Sequence, residues 1–318
     1  MSPMRLEIWR GDWGLPSTDV NCLRVLAYAK FSEAPLEVMA TSNPFRAPKG
    51  QLPVLRCDAQ TLATPKDITA FLNARNYTTD FGLNSKQCAE VLAYDTMLKD
   101  KLYPALQFIW WVDQKNCTEI IRPWYGKAIP FPLSLYYPGK FERQAKAMVE
   151  ALYPLEDISG IENEVYSEAQ KCLTLLSTRL GESHYFFGSA PTSLDAIIYS
   201  YLAPLLQAPV PNAALQNHLK ACGNLTQFVT RITQKYFPDD YTRYMKQKAE
   251  ENAQKLRRDS DSEFPNKRRN QFLAGLCATL AMVSYALSTG IVQVLVYLIR
   301  RGKFIKLPKK KKRRSNKG

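Results

Sequence analysis

The sequence predicts an α+β body in two parts, followed by one C-terminal transmembrane helix. Three observations carry that reading. Strand and helix signals alternate over residues 5–75, strand signals then stop, and an uncharged run of 28 residues, Phe272 to Ile299, lies between basic clusters. Lys and Arg number 43 against 29 Asp and Glu, for a net charge of +14. Fourteen basic residues and no acidic ones lie beyond position 264, which leaves a body with 29 of each. The basic balance therefore belongs to the tail, and the neutral body gives no reason to expect a nucleic-acid partner.

Leu6-Glu-Ile-Trp9 is a short alternating run and reads as a first strand, ended by Gly11-Asp-Trp-Gly14. Pro16-Ser17 opens a helix to Lys30, with Val20, Leu23, Leu26, Ala27 and Phe31 near a 3.6-residue period and Ser17 as its natural cap. Leu36 to Met39 is a second strand, and Asn43-Pro44 begins a loop. Gln51-Leu-Pro-Val-Leu-Arg56 reads as a strand entered through a proline and Thr61-Leu-Ala-Thr64 as another. Pro65 starts a helix with Ile68, Phe71 and Leu72 on one face. The order βαβ then ββα is that of a thioredoxin-like domain, placed at residues 1–80. Residues 84–238 are helical: Val91, Leu92, Met97, Leu98, Leu102 and Leu106 fall at three- and four-residue steps, and similar patterns follow at 162–180, 193–207 and 213–236. Residues 239–266 turn polar and charged and read as a linker with room for helix.

The 28-residue run at 272–299 would span roughly 42 Å as a helix, more than the ~30 Å of bilayer hydrocarbon. Thr279, Ser284, Ser288, Thr289 and Gln293 make it only moderately apolar. Lys267, Arg268 and Arg269 precede it, and a basic tail at 300–318 follows, including Arg300, Arg301 and the cluster Lys309, Lys310, Lys311, Lys312, Arg313 and Arg314. These basic residues are the expected membrane-targeting set. An adjacent membrane helix argues against reading the cluster as a nuclear localisation signal. The first ten residues lack the apolar core of a secretory signal. The expected arrangement is thus a tail anchor with a cytosolic body. The more basic C-terminal flank, taken alone, favours the opposite orientation, but a short tail crosses a membrane more easily than a folded domain. In the anchor, Ala274/Ala278 and Ala286/Gly290 are small-residue pairs that permit close helix approach.

Seven cysteines without a close pair fit reduced thiols, and two histidines at unrelated spacings offer no zinc site. No cofactor and no metal are expected.

The α/β start, the Leu-Pro-Val-Leu strand and the helical second half resemble the glutathione transferase architecture, with an all-α C-terminal domain. The sharpest local match is Phe186-Phe-Gly-Ser-Ala-Pro-Thr-Ser-Leu-Asp195, similar to the motif before the central buried helix of that fold. Thr192 would be the N-cap and Asp195 its reciprocal partner three positions on. The resemblance implies that Pro53 is the proline held cis. The catalytic positions depart from the family. Leu15 stands where transferases place Tyr, Ser or Cys before the proline of the first helix, and Thr64-Pro65 replaces the acidic or amide residue and serine that hold glutathione. Leucine cannot assist a thiolate, and Pro65 removes a backbone donor.

A closer resemblance, to the metaxins and to their membrane-anchored type, runs over residues 5–295. It is carried by Trp9-Arg-Gly-Asp-Trp-Gly-Leu-Pro-Ser17, Ser42-Asn-Pro44, Phe108-Ile-Trp-Trp-Val-Asp113, Arg122-Pro-Trp-Tyr125, Pro130-Phe-Pro-Leu133, Cys172-Leu-Thr-Leu-Leu-Ser177 and Arg268-Arg-Asn-Gln271. The long basic tail departs from it. The resemblance implies a non-enzymatic subunit of the mitochondrial outer-membrane import, sorting and assembly machinery, handling β-barrel proteins. Its implied partners are a second metaxin, the β-barrel assembly machinery and the lipid bilayer. Trp124 and Tyr125, within an aromatic and proline-rich stretch from Trp110 to Tyr137, are the candidate partner-binding residues. The alternatives are a membrane-anchored glutathione transferase and an outer-membrane tether for organelle positioning.

Overall fold

The computed structural model describes residues 3–41, 47–58, 60–154, 157–262 and 267–288. Met4–Trp9 is strand β1, and it buries Met4, Leu6, Ile8 and Trp9. Leu36–Thr41 (β2) pairs parallel to it, with Leu6 opposite Val38. Val54–Cys57 (β3) pairs antiparallel on the other side, with Leu6 opposite Leu55, and Gln60–Leu62 (β4) extends the sheet beyond β3. The order β2-β1-β3-β4 follows from a parallel crossover through helix α1 (Val20–Phe31) and then a hairpin. Helix α2 (Pro65–Ala74) buries Ile68 and Leu72, with Thr64 as N-cap and Pro65 at the first turn, where its missing N–H has no helical role.

Helix α1 begins later than the sequence suggested. Its N-cap is Asp19, whose Oδ1 accepts the Cys22 N–H at 2.9 Å, whereas Ser17 only accepts a long bond from Asp19 N–H at 3.4 Å. Ser17, Thr18 and Asp19 are all acceptable caps; the turn before them decides. Gly11 packs so tightly that a Cβ there would lie 2.3 Å from the Leu15 carbonyl, and Trp13 and Gly14 both adopt positive φ. This compact turn uses up the residues through Thr18 before the helix can start.

After β4 the described chain contains helices and one isolated bridge, Tyr185 to Gly188. Ser85–Met97 (α3) passes through a π-helical turn (Leu98–Leu102) into α4 (Tyr103–Gln107), then through a second π turn at Phe108–Val112. A short α5 (Gln114–Asn116), a third π turn (Cys117–Ile121) and α6 (Arg122–Ala128) follow. The first and third π turns end just before Pro104 and Pro123. Proline lacks the helical donor and crowds the carbonyl four residues back, so the preceding turn widens. Helices α7 (Leu133–Leu152) and α8 (Ile158–Leu180) complete one side.

Helix α9 (Ser193–Gln207) is the centre of the helical half, and every residue from Leu194 to Leu206 is buried. A helix apolar on all sides needs neighbours on all sides. It packs against α1, α3, α10 (Ala214–Ala221) and α11 (Gly223–Tyr236). Fully burying each of its large apolar side chains contributes about 1.5–3 kcal/mol before entropy is charged. Tyr199 keeps its hydroxyl satisfied within this core by bonding Thr233 Oγ1 at 3.0 Å. Arg24 of α1 holds Asp95 of α3 through two bonds of 2.7 and 3.0 Å, tying the two halves together at the rim.

Residues 1–249 form one compact unit and residues 250–318 a second. Of the stretch read as a linker with room for helix, the described residues 239–262 are helical, within α12 (Pro238–Ser262), which starts in the first unit. In the second unit α13 (Lys267–Ser288) takes Lys267, Arg268 and Arg269 into its first turn and leaves Phe272, Leu276 and Leu280 exposed. Among the described residues no helix is long and apolar enough to cross a membrane. The remainder of the predicted span, 289–299, and the tail with Arg300, Arg301 and Lys309 to Arg314 lie outside the described residues. So does the Ser42-Asn-Pro44 motif.

Candidate functional site

The sheet half and the helical half meet at a cleft of about 240 Å³. The sheet half supplies Trp9 from the end of β1, Asp19 and Asn21 from the start of α1, and Gly50 to Leu52 before Pro53. The Leu52–Pro53 bond is cis, as is Phe131–Pro132. The helical half supplies Tyr103, Gln107, Trp110 and Trp111 from α4 and the second π turn, Tyr125 from α6, and Phe141 and Gln144 from α7. A π turn advances each residue by a smaller angle than an α turn, which lets the consecutive Trp110 and Trp111 both reach one side.

Aromatic contacts close the cleft floor. Tyr125 packs edge-on against Trp9 (centroids 5.8 Å apart) and Phe141 (5.5 Å), and lies 5.1 Å from Trp111. Trp124 packs on Tyr125 and near Trp13, and its Nε1 donates to Asp12 Oδ2 at 2.7 Å. Both candidate partner-binding aromatics are thus engaged within the chain, joining α6 to the β1–α1 turn. The aromatic residues of that stretch that face outward are Phe131 (80% exposed) and Tyr136 (58%), with Leu135 exposed between them.

The cleft holds one carboxylate and, among the described side chains that line it, no Lys, Arg or His. Asp19 keeps partial exposure through the cleft, yet burial pushes its carboxyl above the usual range. Its charge in turn helps burial raise the phenols of Tyr125 and Tyr103, the latter to about 12. Leu15 does not line this cleft. It is buried at 2% exposure and borders a separate cavity with Arg10, Asp12 and Tyr244.

The residues present do not fit glutathione. The helix N-terminus that could stabilise a thiolate is already capped by Asp19, and no described cation lines the cleft to hold the carboxylates of that tripeptide.

Thr192 and Asp195 serve the fold. Asp195 Oδ2 accepts the N–H and the hydroxyl of Thr192, both at 2.8 Å, and Oδ1 accepts the Phe186 N–H at 2.9 Å. The box starts α9 and pins the Phe186 loop to it. Burial outweighs these bonds and pushes the Asp195 carboxyl up to about 6. The Asp19 cleft escaped the sequence reading because its parts come from six separate segments. Prolines 104 and 123 were the available signals for the neighbouring π turns.

A mixed β2-β1-β3-β4 sheet, a cis-proline before β3 and a buried central helix define a glutathione transferase-like fold. Solved structures agree on the fold: a glutathione S-transferase of Ceriporiopsis subvermispora in complex with glutathione matches at TM-score 0.51 and 13% identity, over 74% of this chain and 98% of that one. The β-etherase LigF of Sphingobium matches at TM-score 0.50 and 14% identity, over 78% and 100%. The glutathione S-transferase C-terminal domain model matches residues 169–232, and the Tom37 model, described as outer mitochondrial membrane transport complex protein, matches residues 22–142.

The chain belongs to the metaxin family. It is 43% identical to metaxin-1 of Macaca fascicularis over 92% of each chain, and 42% identical to metaxin-3 of Xenopus laevis over 74% of this chain and 78% of that protein. A metaxin-1 homolog of Caenorhabditis briggsae is 32% identical over 92% and 98%.

Proposed function

We propose that this protein is a non-catalytic subunit of the mitochondrial outer-membrane machinery for protein import, sorting and assembly. The Tom37 match across residues 22–142 is the observation that carries the reading, because it spans the join between sheet and helices where a transferase would do its chemistry. Leu15 buried at the nucleophile position supports the non-catalytic part. The body acts through contacts with a second metaxin and with the β-barrel assembly machinery. The uncharged run 272–299 and its basic flanks anchor it in the outer membrane as a single pass, with the body facing the cytosol. Lys267, Arg268, Arg269, Arg300, Arg301 and Lys309 to Arg314 direct that insertion; neutralising Lys309 to Arg314 shifts some protein to the endoplasmic reticulum if they do.

Affinity capture of the full-length protein from gently solubilised mitochondria tests the proposal, with a truncation ending at Asn266 as control. Recovery of a second metaxin with β-barrel assembly components, weakened by truncation, is expected. Recovery of neither, from protein that remains on the membrane, overturns it. Retention on glutathione resin would favour the transferase reading, and recovery of motor or cytoskeletal proteins the tether. Trp124→Ala and Tyr125→Ala address the partner surface: loss of capture without loss of folding supports those residues as contacts.

A further inference from the structure

The cleft between the halves carries an arrangement that the transport reading does not use. Asp19 is its one carboxylate among the described side chains, and nothing basic there neutralises it. Trp9, Trp110, Trp111 and Tyr125 line the same space, and aromatic faces attract cations while repelling anions. The remaining polar lining is made of carboxamides, Asn21, Gln51, Gln107 and Gln144, which accept hydrogen bonds from any ligand without adding charge. At about 240 Å³ the space suits one side-chain terminus or a small molecule rather than a folded segment.

We infer that this cleft is a binding site for an organic cation, the ammonium or guanidinium end of a basic side chain or a small alkylammonium, with Asp19 as its counter-ion and the tryptophans as its walls. Asp19 also caps α1 through the Cys22 N–H on Oδ1, with the Cys22 thiol and the Asn21 N–H as further neighbouring donors, all of them on the helix side of a carboxylate that borders the cleft. A bound ammonium would complete it. Burial holds the Asp19 carboxyl above its ordinary range, and a cation beside it would bring it back down. The inference does not rest on the transport function, since it requires only the cleft.

Full-length protein in detergent micelles is titrated with tetramethylammonium, N-acetyl-lysine methylamide and N-acetyl-arginine methylamide, with N-acetyl-glutamate methylamide as anionic control. Tryptophan fluorescence reports, because three tryptophans line the site. Saturable binding of at least one cation and none of the anion is expected, and which cation binds tells a free ammonium from a basic side chain. Asp19→Asn keeps a good helix cap but removes the charge, so cation affinity should fall about tenfold or more while the melting temperature holds. Gln144→Lys, an exposed lining position, should also weaken binding by placing a resident cation in the cleft. The inference is overturned if no cation binds the wild-type protein, or if Asp19→Asn binds it as tightly. Either result would leave Asp19 as a helix cap alone.

Discussion

Asp195 and Asp19 both sit at the start of a helix packed in the core, and burial raises the carboxyl of each. Their surroundings differ. Asp195 has no exposure, and three donors from Phe186 and Thr192 converge on it. Asp19 takes its donors from its own helix start, the Cys22 N–H at 2.9 Å with the Cys22 thiol and the Asn21 N–H beside it, and keeps partial exposure on a cleft lined by aromatics. A carboxylate enclosed by three donors from its own loop belongs to the architecture; one that opens onto a cleft is available for something else.

The largest effect that could break this comparison is at Asp195. Asp195→Ala strands two buried N–H groups and a hydroxyl, and should cost about 3–4 kcal/mol in urea unfolding. A loss below about 1 kcal/mol would mean that the loop before α9 relaxes to find other partners. Acidity gives a second test. The folded carboxyl near 6 lies above its unfolded value near 3.8, so the protonated form favours the fold. That contribution is fully present below pH 4 and is lost as pH rises through 6. Wild type should therefore gain up to about 3 kcal/mol relative to Asp195→Asn between pH 7 and pH 4. A constant difference across that range would place the Asp195 carboxyl at its ordinary value.

Smaller effects sharpen the picture around the cleft. Trp124→Phe removes the 2.7 Å bond to Asp12 and should lower stability by about 1.5–2 kcal/mol, with Asp12→Asn showing part of the same loss. If the two losses add in the double variant, the bond does not exist in solution. Arg24→Ala opens the paired contact with Asp95, whose side chains remain 22% and 30% exposed, for about 1 kcal/mol. High salt should shrink that difference. Asp19→Asn should change stability by only a few tenths of a kcal/mol, since asparagine caps as well as aspartate, against about 1 kcal/mol for Asp19→Ala. Equal losses for both would show that the charge itself holds the fold, contrary to its role in the cleft.

Much of the frame is legible without coordinates. Leu6 and Ile8 alternate with polar residues and become the inner face of β1. Thr64-Pro65 marks the first turn of α2, and the Phe186 to Asp195 motif marks the start of α9. All of these are patterns within about ten residues, where hydrogen-bond partners and periodicity lie close in sequence. The choice among Ser17, Thr18 and Asp19 as cap was not legible, because three acceptable side chains stand in a row and the tight turn at Gly11 to Leu15 selects between them. Trp124 illustrates the same limit, since an aromatic next to prolines reads equally as surface or core until Asp12, 112 positions away, supplies its acceptor.

Residue type and short-range spacing were enough to order the strands and helices, to set a basic tail after a neutral body, and to put Leu15 where transferases carry Tyr, Ser or Cys. Only the tertiary structure decided that Asp19 lies against Trp9, Tyr103 and Tyr125 in one cleft, while Leu15 turns away into the core. Burial and juxtaposition are properties of segments far apart in the chain, and a carboxylate acquires its chemistry from what the fold packs around it.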